Sequence, residues 1–366
     1  MNAPKKIRVA VIGCGRISGH HCRSIVKAEG IEMAAVCDLV PERAKAYSDE
    51  FKVPAYTDYR KMLREIPGID AVVIATPSGM HFEHAVEILR DFKKHVIVEK
   101  PTFLKPSQLN EAYALAHSLG LQIFPVFQNR HNAAVRRVLR GVRDGELGAV
   151  RVVAVRVRWC RPQRYYDMSP WRGTFAQDGG ALTNQGIHHV DLLRQFAGEP
   201  LRVSALMKTL GAKIEVEDTV TGVIEFESGA VGTLEVTTAA RPDDFEASIS
   251  LVCEKGLAQI GGIAVNELQI YTPAPADCKT SSEDFSRCVY GFGHEKLYQE
   301  ISAFFHEGKA FSVAQDDAFR TIRLLNAFYR SAESGGWANA DDAAESSKLG
   351  RPDEKLAALY RTSLPG

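Results

Sequence analysis

The stretch Ile7-Arg8-Val9-Ala10-Val11-Ile12-Gly13-Cys14-Gly15-Arg16-Ile17-Ser18-Gly19 decides the fold. A short run of β-branched residues ending in glycines reads as a buried strand, a tight turn and the start of a helix. Such a turn lets backbone approach a pyrophosphate, whose charge then faces the orphan N–H groups of the helix start. Gly13 and Gly15 hold the first two positions of a dinucleotide fingerprint, and Arg16 and Ile17 continue the turn. Ser18 stands at the third glycine position, small enough for close helix–strand packing, with Gly19 beside it. Asp38 ends the second strand, where a carboxylate accepts from both adenosine ribose hydroxyls and repels a 2′-phosphate. That favours NAD over NADP.

Outward from this turn, short β-branched runs alternate with helical stretches. The strands read Ile7–Ile12, Glu32–Cys37, Ala71–Ile74, His95–Val98 and Gln122–Phe127. Helical periodicity with Pro or Ser at the start marks Pro41–Phe51, His81–Asp91 and Pro106–Leu119. This predicts an α/β chain with an N-terminal doubly wound Rossmann domain over residues 1–128. After a helix at Ala133–Arg143, long alternating strands follow near Val150–Trp159, Arg202–Thr209, Thr219–Glu227, Ala230–Thr238, Ala247–Cys253 and Leu257–Ile260, interrupted by a helix near Gly186–Ala197. They predict a second, α+β domain over 129–336 with a large, mostly antiparallel open sheet. Its last helices, Glu295–Glu307 and Asp316–Ala332, are candidates to pack on the first domain. Residues 337–366 lack a core pattern and read as a mobile or peripherally docked tail.

Composition bounds the partners. Lys plus Arg and Asp plus Glu each count 45, so no global field attracts nucleic acid or an acidic membrane. The seven cysteines are scattered, with no Cys-x-x-Cys pair and no zinc-type spacing, which predicts reduced thiols, a cytoplasmic protein and no metal. Neither a signal peptide nor an apolar run of about eighteen residues is read, so no membrane span is expected.

Two segments carry chemistry. Glu99-Lys100-Pro101 puts a lysine at the carboxyl end of a parallel strand, where open α/β sheets bind their ligands. Partial desolvation near a positive nicotinamide would lower its pKa and suit it to take the hydroxyl proton or bind the developing oxyanion. Glu99 flanks it beside the cofactor. Ala75-Thr76-Pro77 closes the preceding strand against the dinucleotide, and His81 opens a helix with either a structural or a cofactor role. In the second segment, His188 is a candidate base, with Asn184 and Asp191 on the same face of a helix beginning near Thr183 and Asp178-Gly179-Gly180 as the turn before it. Arg161, Arg164 and Arg172 cluster with Tyr165, Tyr166 and Trp171, forks and rings suited to a sugar carboxylate, a diphosphate and a sugar face. Arg156 and Arg158 either join them or line a sheet face. Gln128 lies toward the cofactor, and Asn129 and Arg130 toward substrate.

At these residues the chain resembles the Gfo/Idh/MocA oxidoreductases over roughly Lys6–Ala332. The resemblance implies Lys100 and His188 as catalytic residues. Asn184 stands where most of the family has aspartate, so a full Lys–Asp–His relay is not available. Arg161-Pro162-Gln163-Arg164-Tyr165-Tyr166, Trp171-Arg172-Gly173-Thr174, Asn184-Gln185, Glu215-Val216-Glu217-Asp218-Thr219, Val265-Asn266-Glu267 and Val289-Tyr290-Gly291-Phe292-Gly293-His294 are similar to the bacterial UDP-N-acetylglucosaminuronate 3-dehydrogenases of surface-polysaccharide (lipopolysaccharide, O-antigen) synthesis. That likeness implies oxidation at carbon 3 of a UDP-sugar acid by NAD, recycling of bound cofactor by 2-oxoglutarate, and a homotetramer or homodimer. Other readings are a dehydrogenase of a free sugar or inositol, or a catalytically silent NAD-binding sensor.

Overall fold

The computed structural model describes residues 5–286 and 291–362. Cys288, Val289 and Tyr290 lie outside the described residues. Two compact units result: residues 1–126, 294–318 and 353–366 form the first, and 127–293 with 319–352 the second.

In the first unit, β1 (Ile7–Ile12), β2 (Ile31–Cys37), β3 (Ala55–Tyr56), β4 (Ala71–Ile74), β5 (His95–Val98) and β6 (Ile123–Pro125) form one sheet in the order β3-β2-β1-β4-β5-β6. Every pairing is parallel. Val9, Ala10 and Val11 of β1 and Ala71, Val72 and Val73 of β4 are fully buried, as continuous apolar runs covered on both faces must be. The helix Gly293–Glu307 sets Phe304 and Phe305 against Phe124 of β6, with ring centroids 5.2 and 6.0 Å apart.

The second unit is built on an eight-stranded sheet of β7 (Val150–Arg158), β8 (Pro200–Lys208), β9 (Thr219–Phe226), β10 (Val231–Thr237), β11 (Glu246–Cys253), β12 (Leu257–Gly261), β13 (Glu267–Tyr271) and β14 (Ala338–Asn339). The order is β13-β12-β11-β7-β10-β9-β8-β14, and only β7 with β10 is parallel. Alternation sets the faces: Val153, Val155 and Val157 are buried, while Arg156 and Arg158 turn outward to Glu246 and Glu235. These two arginines line a sheet face.

β13 went unread in the sequence because Leu268 and Tyr271 are its buried residues, too few to show a period. The segment after Trp337 also lacks periodicity, yet it is tied down. Ala338 and Asn339 add to the edge of β8, Leu349 is fully buried, and Glu333 holds the amides of Ser347 and Lys348. In the first unit Arg361 pairs with Glu83 and Glu354. Single anchors and ion pairs do this, and neither leaves a repeating pattern. Among the described residues no helix is long and apolar enough to cross a membrane.

Candidate active site

The glycine turn follows from close approach of two strand ends. Gly13 has φ +89°, and a Cβ there would lie 2.5 Å from the Ala75 carbonyl oxygen. Glycine is therefore required where β1 ends beside β4. Above Gly15 there is open space, with no atom within 4 Å of where its Cβ would be. Asp38 accepts the backbone N–H of Cys14 at 2.7 Å and of Val40 at 2.8 Å, so it braces the turn as well as ending β2. Each carboxylate oxygen keeps a second lone pair for a ribose hydroxyl. Open backbone at Gly15 and a braced acid fit a dinucleotide. Burial pushes the Cys14 thiol above its ordinary range, and those of Cys22 and Cys37 up to about 12, so these sulfurs stay protonated and inert near neutral pH.

Two residues assigned to the cofactor turn out to be braces. His81 is buried, with Nδ1 2.9 Å from the Pro101 carbonyl and Nε2 3.0 Å from that of Thr76. A neutral ring has one N–H to give, so His81 ties to one of these two carbonyls at a time, and both of its nitrogens lie against backbone oxygens of the loops after β4 and β5. Thr76 in turn places its hydroxyl 3.0 Å from His84 Nδ1. Glu99 is 3% exposed, and its carboxylate is taken by His21 Nε2 at 2.8 Å, His294 Nε2 at 3.5 Å and the Lys100 backbone N–H at 3.1 Å. Burial pushes this carboxyl up, but the two imidazoles outweigh burial and hold it well below the usual carboxylate range. Lys100 itself is half-buried at the end of β5.

In the second unit a polar chain runs through the predicted substrate residues. Asn184 donates its amide to Asp178 Oδ1 and accepts from Gln185 Nε2 at 2.9 Å. Asp178 is buried and also takes the Gly173 N–H at 2.7 Å. Gln185 donates to the Tyr165 hydroxyl at 3.2 Å, and that hydroxyl also accepts from Arg172 at 2.5 Å. The Arg172 guanidinium stacks between Tyr165 and Trp171, 4.3 and 4.6 Å from their ring centres. Arg161 lies over Trp159 and Tyr165 and donates to Asp244 at 2.8 Å. Arg164 is exposed, and Tyr166 is buried with its hydroxyl 2.9 Å from that of Thr238, which makes Tyr166 a packing residue. A concavity of about 510 Å³ on this unit reaches Asp244 and Arg241, but its lining contains neither Asn184 nor His188.

The helix face expected for Asn184, His188 and Asp191 is not continuous. One turn, Ala181–Asn184, ends before Gln185 and Gly186, and the next helix is Ile187–Ala197. Gly186 breaks it: its N–H bonds back to Ala181 and a Cβ there would lie 3.0 Å from the Leu182 carbonyl. Asp191, expected on the helix face of His188, is the partner of Arg130 Nε at 2.7 Å and of the Thr321 hydroxyl at 2.9 Å. Arg130 is therefore committed to a buried carboxylate, its guanidinium lying over Phe127. His188 is 7% exposed, its ring 6.3 Å from that of Phe127. His189 is fully buried against Trp159 and pushed down to about 4 by burial, a packed neutral ring. Gln128 is buried and Asn129 half-buried in the short turn Gln128–His131. The braces Asp244 and His21 lacked assigned roles because their partners lie 83 and 78 residues away, separations no local pattern marks.

Residues 7–127 match the model of the oxidoreductase family with an NAD-binding Rossmann fold, and residues 135–259 match the GFO/IDH/MocA C-terminal domain. The WlbA dehydrogenase of Bordetella pertussis, solved with NADH and UDP-GlcNAcA, is 33% identical with a TM-score of 0.86, covering 93% of this chain and 99% of that one. The WlbA enzyme of Chromobacterium violaceum, solved with the same two ligands, is 34% identical with a TM-score of 0.85, covering 93% of this chain and 97% of that one. D-glucoside 3-dehydrogenase of Escherichia coli is 26% identical over 354 residues, 90% of this chain and 96% of that protein. With its glycine turn, braced acid and two matched domains, the chain belongs to the Gfo/Idh/MocA family of sugar and polyol dehydrogenases and is an NAD-dependent oxidoreductase.

Proposed function

We propose that this enzyme oxidises the 3-hydroxyl of UDP-N-acetyl-D-glucosaminuronate to the 3-keto sugar, in the cytoplasm, for bacterial surface-polysaccharide precursors. The observation that carries the reading is the likeness, at 33 and 34% identity over 93% of the chain, to two dehydrogenases crystallised with that sugar nucleotide. NAD, when bound, supplies the hydride acceptor. Gly13, Gly15, Arg16, Ile17, Asp38, Thr76, Pro77 and Gln128 hold it, with Glu99 and His81 bracing the loops behind. Lys100 in the first unit and His188 in the second handle the hydroxyl proton and the developing oxyanion. Asn184 cannot relay a proton. Its amide hydrogen is given to Asp178, so it serves to fix the turn before His188.

Arg172, held in a fork between two aromatic rings and bonded to Tyr165, is the cation best placed within its unit to read a carboxylate or phosphate. Arg161 and exposed Arg164 add positive charge around it. Arg130 acts through Asp191, as a positioning residue. Recycling by 2-oxoglutarate and assembly into a homotetramer or homodimer complete the proposal.

A second reading has one observation in its favour. Arg130, Arg158 and Arg161 all face carboxylates, which fits a neutral sugar such as that of the D-glucoside relative. Mass-spectrometric turnover with NAD decides between them. UDP-N-acetylglucosaminuronate should lose two mass units while UDP-N-acetylglucosamine, free glucoside and inositol do not, and the reverse outcome removes the uronate assignment. Lys100→Ala should lower turnover at least about a hundredfold; near-normal turnover would take Lys100 out of the mechanism.

A further inference from the structure

Among the described residues, His21, Glu99 and His294 are the cluster whose potential ligand atoms all lie within 4.8 Å of one another. Its geometry is that of a solvated anion. His21 Nε2 and His294 Nε2 both face the same oxygen of Glu99, at 2.8 and 3.5 Å, while its other oxygen takes the Lys100 backbone N–H. The Tyr298 hydroxyl sits 2.8 Å from His21 Nδ1; donating there, it leaves the His21 proton on Nε2, aimed at the carboxylate. All three residues of the cluster are buried.

We propose that Glu99 is the positioning residue of Lys100, a buried anion one peptide bond away that fixes the lysine's backbone and answers its charge. The groups facing it come from four elements. The helix Ser18–Lys27 brings His21, with His20 stacked 6.1 Å from His294, and the helix Gly293–Glu307 brings His294 and Tyr298. The helix His81–Glu87 brings His81, and Glu99's own loop brings Lys100. Burial pushes His294 and His81 below their ordinary range and His20 down to about 4, so these rings act as dipoles rather than charges. The Lys100 ammonium is within electrostatic range of His294 and His81, the same two rings that feel the Glu99 carboxylate, and an anion one residue away favours the charged form of the amine.

This inference rests on Lys100 as a proton-handling group, and its test is independent of substrate. The intact protein with NAD bound is treated with trace acetic anhydride across neutral to alkaline pH, and acetylation of Lys100 is read by peptide mass spectrometry. Glu99→Gln should move the midpoint of Lys100 labelling down by about one pH unit. His294→Leu should move it the same way by less, and His294→Gln, which keeps an N–H donor, should restore it. An unmoved midpoint in folded Glu99→Gln overturns the proposal; if that variant does not fold, the His294 pair decides alone. Full turnover by Lys100→Ala would sink the catalytic reading of the lysine, while the labelling midpoint would still report on Glu99.

Discussion

Glu99 in the first unit and Glu217 in the second are both hidden from water, and these two carboxyl groups have opposite fates. Glu99 accepts from the His21 imidazole and the Lys100 amide, with the His294 ring nitrogen 3.5 Å away, and it stays ionised. Glu217 accepts from the Tyr329 hydroxyl at 2.8 Å and the Leu182 N–H at 3.1 Å, packed under Gly180, where a Cβ would lie 2.1 Å from the carboxyl. Burial pushes Glu217 up to about 8, with Asp178 nearby adding to the rise. Equal burial therefore does not fix charge. The number and polarity of the donors gathered around the oxygens decide it.

The contrast can be broken in three ways. The largest effect belongs to Glu99→Ala, which leaves the buried His21 imidazole without its partner and removes the anion that faces His294. We expect a loss of about 3 kcal/mol of stability at neutral pH, read from denaturant midpoints. A loss no larger than that of an exposed Glu→Ala control would show that the cluster is not under electrostatic load.

Next is the pH dependence of stability, where the two groups have opposite signs. Glu99, depressed on folding, contributes stability that is present above the unfolded value near 4.5 and lost as pH falls through its lower folded value. Glu217, raised on folding, contributes stability that is full below about 4.5 and lost as pH rises through about 8. Relative to Glu217→Gln, the wild type should lose stability steadily between those limits. A parallel pair of stability curves would mean that Glu217 ionises freely in the fold.

The smallest effect is that of Tyr329→Phe. It removes the hydroxyl shared by Glu217, Thr183 and the Gly180 N–H, costing about 1 kcal/mol. Unchanged thermal midpoints would indicate that water replaces the hydroxyl.

The two units also differ in how much of them the sequence discloses. β1, β4 and β5 are legible to the residue, because buried parallel strands read as uninterrupted apolar runs bounded by glycine or a charged residue. β7, β9 and β10 are legible within a residue or two at each end, from alternation. The glycine turn, Asp38 and the strand-end position of Lys100 follow from local pattern alone. What surrounds them does not. His21 meets Glu99 across 78 residues, Arg130 meets Asp191 across 61, and Arg161 meets Asp244 across 83. A run of arginines shows in a sequence, but the acids that absorb them do not. In a chain with equal numbers of each sign such acids must exist somewhere. This is why Arg130 read as ligand-seeking and proved to be ion-paired, while Arg158, left open between a ligand and a sheet face, proved to pair with acids on that face.

The first unit draws on three separate stretches of chain, and the third member of the Glu99 cluster comes from the second of them. On the ribosome, Glu99 is made long before His294 and Tyr298. Until the polymer has grown through the whole intervening stretch and returned, the nascent Rossmann sheet carries an acid whose polar company is unfinished. Its last step of closure must therefore wait for the C-terminal third, and a chain cut after residue 126 would be stranded at that stage.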